Sequence, residues 1–176
     1  MSTKFFTNQD TNTLLNKFKG IFEHNTDIEN FDALVGYFRA SGYFKVRPFL
    51  DNVPHIRILV GIDVDKILAK YQSKGLLFQG DANQTLIEFL SEVKSDIQDA
   101  DYNQEIEEGI LQFIEDIATR KIEIKAHPSK KLHAKIYIFK PKGWNEHKSG
   151  YVITGSSNLT ENGLGGTDNF NYEFNV

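Results

Sequence analysis

The sequence predicts a mixed α/β domain in which a β-sheet is flanked by helices on both faces. Short apolar, β-branched runs such as IRILVGI (56–62) alternate with helix-like stretches over the first two thirds of the chain, and strand-like segments cluster in the last third. With 176 residues, 40% of them hydrophobic and 25% charged, one core can be buried without staples. Residues 1–176 therefore read as a single domain.

Taken in order, Leu14, Leu15, Phe18, Ile21 and Phe22 make the apolar stripe of a helix over residues 8–23. FDALVGYF (31–38) reads as a buried strand, with Tyr37 and Phe38 belonging to the core rather than stacking on bases. Ser41 offers an N-cap for a short helix ending near Pro48. The run 56–62 is the next strand, and Asp63 caps a helix through about Tyr71. Two helices are expected over 81–120, because Asp81 with Gln84 and Asp101 with Gln104 have capping-box spacing. Ile106, Ile110, Phe113, Ile114 and Ile117 give the second a buried face. KIEIKAH (121–127), HAKIYIF (133–139), GYVITGS (150–156) and NYEFNV (171–176) are strand candidates. ENGLGGTDN (161–169) reads as a flexible loop.

The net charge of -4 conceals a split. Residues 81–116 hold eleven acids against Lys94, and residues 120–142 hold eight bases against Glu123. The acidic run reads as a solvated helical face. The basic run reads equally as a lysine-guarded edge strand or as a track for a polyanion. The chain has no cysteine, which removes disulfide and thiolate chemistry. No apolar run approaches the ~18–20 residues of a membrane span, and the N-terminus lacks a signal-peptide pattern. A soluble, cytoplasmic protein with no membrane partner is expected.

Three late segments carry the chemistry. In an extended strand alternate side chains share a face, so His133 and Lys135 point together, with Ala134, Ile136 and Ile138 on the apolar side. Ser156 and Asn158 likewise share a face, and Asn171, Glu173 and Asn175 alternate with Tyr172, Phe174 and Val176. If 133–139 and 150–156 form an antiparallel hairpin, pairing Phe139 with Gly150 sets His133 opposite Ser156. Imidazole, ammonium, hydroxyl and amide then meet in a donor-rich pocket suited to a phosphate. A carboxylate such as Glu173 can hold the imidazole in one tautomer. His55 and His127 have no such company and read as structural or surface residues.

His133-x-Lys135 followed by Gly155-Ser156-Ser157-Asn158 resembles the HxK…GSxN signature of the phospholipase D superfamily, and Asn171-x-Glu173 resembles the acidic strand that follows it. The motifs cover residues 133–173, and the upstream order of strands and helices is similar to that family's N-terminal half. The chain looks most like the domains fused to the N-terminus of bacterial helicases and restriction-type nucleases.

The resemblance implies a phospholipase D-like fold and a phosphohistidine mechanism. His133 would be the nucleophile, Lys135 and Asn158 would bind phosphate oxygens, Ser156 would hydrogen-bond within the site, and Glu173 would orient a histidine. Single-motif members act as homodimers, in which the second copy's histidine serves as acid and base. No metal or cofactor is implied, and the sequence has no carboxylate–histidine cluster at metal spacing. The sequence departs from the pattern at Lys140, where the family usually has aspartate, and in the longer gap before GSSN.

Three functions follow as expectations. The first is a metal-independent nuclease acting on DNA, attached to a C-terminal helicase in a longer chain, because NYEFNV reads as strand up to Val176. The second is a non-catalytic module that binds DNA or dimerises a larger helicase or restriction system. Lipid phosphodiester hydrolysis ranks last, because no amphipathic basic helix is evident.

Overall fold

The computed structural model describes residues 5–61, 91, 104–127, 132–165 and 170–176. The described elements are helix α1 (Leu14–His24), strand β1 (Ile28–Val35), helix α2 (Ala40–Val46) running into a 3-10 turn (Arg47–Leu50), strand β2 (His55–Gly61), helix α3 (Gln104–Ala118), strands β3 (Ile122–His127), β4 (Lys135–Pro141) and β5 (Tyr151–Thr154), and a helical turn α4 (Glu161–Leu164). The strands form one sheet in the order β3-β2-β1-β4-β5. β3, β2 and β1 run parallel, whereas β4 is antiparallel to both β1 and β5. The chain is thus mixed α/β, as its alternating pattern predicts.

Local chemistry moves several boundaries. α1 begins at Leu14 rather than at residue 8, because Asn8 and Asp10 have left-handed backbone (φ 61° and 51°), which a helix excludes. The Thr13 hydroxyl then accepts from Asn16 N, and the Asn8 side chain accepts from Leu14 N. β1 stops at Val35, so the run to Phe38 is not one strand. Ser41 is not the N-cap of α2; Arg39 is, without a side-chain cap, and its own N–H is tied to Leu159 O. The presumed loop 161–169 opens with α4, capped by the Thr160 hydroxyl. The helices expected at 63–71 and in the first half of 81–120 lie outside the described residues.

The core sits on one face of the sheet. Phe18 of α1 presents ring edges to Phe31, Tyr137 and Phe139, with centroids 5.0–5.7 Å apart. α2 and α3 extend this cluster through Tyr43, Val46 and Phe113, with Phe113 stacked on Phe38. Among the described residues the helices share this single apolar cluster. The opposite face carries Asp32, Leu34, Arg57, Leu59, Ile136 and Ile138 around a groove of about 350 Å³. Two expectations on α3 change: Ile117 is exposed, and Asp116 is buried, where Arg47 and Tyr43 bind its carboxylate.

Candidate active site

The site is built where β1 and β2 end beside the entry to β4. Gly36 and Gly61 follow or close these strands and let the Leu132–His133 backbone cross them. A Cβ on Gly61 would stand 2.5 Å from Leu132 O, and one on Gly36 would stand 3.0 Å from it and 3.5 Å from Lys135 Nζ. Parallel strands of α/β proteins typically offer ligand sites at this end.

β4 starts at Lys135, so His133 lies just ahead of the strand and is exposed. Lys135 turns inward with Tyr137 and Phe139 and is 4% exposed. The expected sidedness is therefore reversed. The lysine shares the packed face, and Ile136 and Ile138 are half-buried on the other. Lys135 Nζ donates to His133 O (2.8 Å) and lies 2.9 Å from His133 Nδ1. Burial pushes the ammonium pKa below the ordinary lysine range, and the Glu173 carboxylate opposes that shift.

The hairpin register differs from expectation by one residue. Phe139 pairs with Tyr151, not Gly150, so His133 is not set opposite Ser156. The connecting loop explains the shift. Trp144 N bonds Pro141 O and Asn145 bridges Lys148, which closes the loop on its own and delays the ladder to Tyr151. Lys135 itself meets the end of β5, its carbonyl accepting from Gly155 N and Thr154 Oγ1 at 3.2 Å each.

The terminal segment pairs antiparallel with 154–156 through Ser156 N→Phe174 O, Thr154 N→Val176 O and Val176 N→Thr154 O, as a bridge rather than the full strand expected over 171–176. The alternation holds with an unexpected sense. Glu173 and Asn175 are buried, whereas Tyr172 and Phe174 are 71% and 54% exposed. Glu173 accepts from the Ser156 hydroxyl and from Asn171 Nδ2 (3.1 Å), and Ser156 Oγ accepts from Phe174 N (3.0 Å). The hydroxyl proton of Ser156 is thus committed to Glu173 rather than free for a ligand.

Asn158 is oriented unambiguously. Tyr37 N donates to its Oδ1 at 2.9 Å, and a backbone N–H requires an acceptor, so Nδ2 is the other end of the amide. Among the described residues that Nδ2 has no acceptor, and it lines a polar cleft of about 440 Å³ with Tyr37, Arg39, Ser41, Glu161, Asn162 and Asn171. The Asn158 amide donor, at the same strand end as a buried ammonium, suits an anionic oxygen. Sequence reasoning missed Tyr37, which is 46% exposed at the cleft rather than in the core, whereas Phe38 is buried as expected. It also missed Asn175 as a brace; its Nδ2 donates to Ser157 Oγ (2.8 Å), and its backbone exchanges bonds with Phe6. Asn175's place in the NxExN alternation was the available signal.

Of the described bases in the run 120–142, Lys135 stands at the site, and others lie elsewhere on the sheet. Lys121 and Lys125 lie in or beside the outer strand β3, where Lys125 pairs with Glu123, and Lys140 pairs with Asp32 at 2.9 Å. Among the described residues no group of three His, Asp or Glu stands close enough to hold a metal ion, and no helix is long and apolar enough to cross a membrane. No family model matches the chain and no curated protein matches its sequence, so the arrangement is read from its own chemistry.

Proposed function

We propose that the chain is a phospholipase D-like, metal-independent phosphodiesterase that cuts DNA through a phosphohistidine, working as a homodimer and attached to a helicase. The observation that carries this reading is the grouping of the HxK and GSxN residues at one strand end. The Lys135 ammonium lies against His133, and a donor-presenting Asn158 borders the adjoining polar cleft. The phosphate draws Lys135 Nζ from His133 Nδ1 onto its own oxygen. Nδ1 then carries the ring proton, which leaves the Nε2 lone pair to attack phosphorus.

A P–N bond forms as the P–O bond to the leaving alcohol breaks, and the departing oxygen takes a proton from the His133 of a second copy. That imidazole then accepts a proton from water as the water attacks phosphorus, the P–N bond breaks, and a phosphomonoester leaves. Glu173, bound by Ser156 and Asn171, supplies the negative charge that opposes Lys135 deprotonation. Plasmid and single-stranded DNA incubated in EDTA test this reading. Cleavage lost in His133→Ala is the expected result, and no cleavage by a dimer confirmed in solution overturns it.

One observation favours a second reading, a non-catalytic DNA-binding or dimerisation module. With Lys135 donating to Nδ1, the neutral imidazole keeps its proton on Nε2, the atom that must attack. That module binds DNA in a salt-sensitive manner and keeps its affinity in His133→Ala.

A further inference from the structure

We propose that the polar cleft beside Asn158 is a nucleotide subsite for single-stranded nucleic acid, in which an unstacked base lies on the Tyr37 ring. The inference rests on the phosphodiesterase reading only for its orientation, since the cleft adjoins the atoms assigned to the phosphate. The cleft holds about 440 Å³, within the range of small-molecule sites and enough for one nucleotide unit. Besides the Glu161 carboxylate, which pairs with Lys45 at 3.6 Å, its lining has one aromatic ring, one guanidinium and a surround of neutral amides and hydroxyls. These are the groups that stack on a base, meet a phosphate, and hydrogen-bond to sugar and base edges.

Tyr37 is the unusual member. Tyr37 is 46% exposed on a fixed backbone, because its N–H donates to Asn158 Oδ1 and the preceding Gly36 packs against the 132–133 backbone. The Arg39 guanidinium lies 5.3 Å from the ring centroid, which orients the ring and places positive charge at the cleft. An exposed aromatic on a fixed backbone is a stacking platform with a low ordering cost.

The cleft and the residues assigned to the phosphate share members. Asn158 belongs both to GSSN and to the cleft, Asn171 lines the cleft and bonds Glu173, and Gly36 approaches Lys135 Nζ. A strand whose phosphate sits between Lys135 and Asn158 therefore delivers its neighbouring nucleotide to Tyr37. A base inside a duplex has both faces covered, so only a single strand or an extruded base fits.

The test is fluorescence anisotropy with the full chain carrying His133→Ala, which removes the proposed nucleophile and so any turnover. The Tyr37 variants are made on that background, using labelled oligo-dT and oligo-U of about 15 nucleotides and a duplex of the same length. Tyr37→Ala is expected to weaken single-strand binding by about 5- to 150-fold, Tyr37→Phe to keep it within about twofold, and neither to change duplex binding. Unchanged single-strand affinity in Tyr37→Ala overturns the subsite, as does an equal loss on the duplex or an equal loss in Tyr37→Phe. Because binding is read without turnover, Tyr37-dependent binding with no cleavage by the native protein refutes the phosphodiesterase and leaves the subsite standing. Histidine-dependent cleavage without Tyr37-dependent binding does the reverse.

Discussion

Lys135 Nζ and His133 Nδ1 lie 2.9 Å apart, with Lys135 4% exposed. An ammonium has no lone pair, so the lysine donates and the imidazole accepts. Holding a cation there is costly, and burial lowers its pKa from the ordinary lysine value. Because the unfolded chain keeps the ordinary value, the cost is fully present below the folded pKa. It fades as pH rises through the window up to the unfolded one.

Lys135→Met removes that cost. Scanning calorimetry is expected to show the variant more stable at neutral pH by about 1 kcal/mol, or ~2–4 °C, with the gain shrinking toward pH ~10. Turnover on DNA is expected to fall at least about 100-fold, as when an oxyanion-binding group is removed. A variant both less stable and fully active contradicts the role given to this lysine.

The Asp116 carboxylate is the polar counterpart of the core. Burial works against its charge, but bonds from Arg47, Tyr43 and Gln112 outweigh it and hold its pKa below the usual value. Its contribution is therefore complete above about pH 4 and is lost as pH falls through the lowered folded value. Asp116→Ala leaves the Arg47 guanidinium and the buried Tyr43 hydroxyl short of a partner. A loss of about 2–4 kcal/mol in urea unfolding at pH 7 is expected, and little further loss on acidification where the native protein weakens.

Much of the fold was legible because periodicity reports burial. The strands at 56–62, 121–127 and 133–139 and the helix carrying Phe113 follow directly from apolar spacing. What periodicity cannot give is which face is packed, and β4 shows the consequence: Lys135 sits in line with Tyr137 and Phe139 because its ammonium is satisfied locally by His133. Register was out of reach for a different reason. The bonds inside 141–148 decide it, and they depend on loop geometry rather than on composition. Of the candidate site, the sequence named residues that the structure brings into contact, His133 with Lys135 and Ser156 with Glu173. Tyr37 was not legible, because an aromatic beside a strand end has the same spacing whether it packs or protrudes.

Gly155 is where the terminal segment approaches β5. A Cβ there would lie 2.1 Å from Phe174 O and 2.5 Å from Asn175 Oδ1, and neither backbone nor a buried amide can retreat cheaply. Gly155→Ala is expected to cost about 1–3 kcal/mol. It also separates Ser156 from Glu173, so exchange protection at the Val176 and Phe174 amides should fall together with turnover. Loss of protection at these amides without loss of turnover would show that Glu173 is dispensable.

Lys140 stands five residues after Lys135 on a continuous strand, and an odd offset puts it on the opposite face. There it meets Asp32 at 2.9 Å, whose carboxylate is also gripped by both ends of the Arg57 guanidinium at 2.6 and 2.7 Å. The lysine is thus explained by a cross-strand charge pair on the face away from His133. Placing aspartate at this position, as the phospholipase D pattern has it, with Lys140→Asp sets two carboxylates together without adding a group to the site. The expected result is a loss of about 0.5–1 kcal/mol in urea unfolding, largely recovered when Asp32→Asn is added, with turnover within about twofold of the native protein. A large gain in turnover from Lys140→Asp would mean instead that this position reaches the site through the strand, and that the native lysine holds the chemistry back.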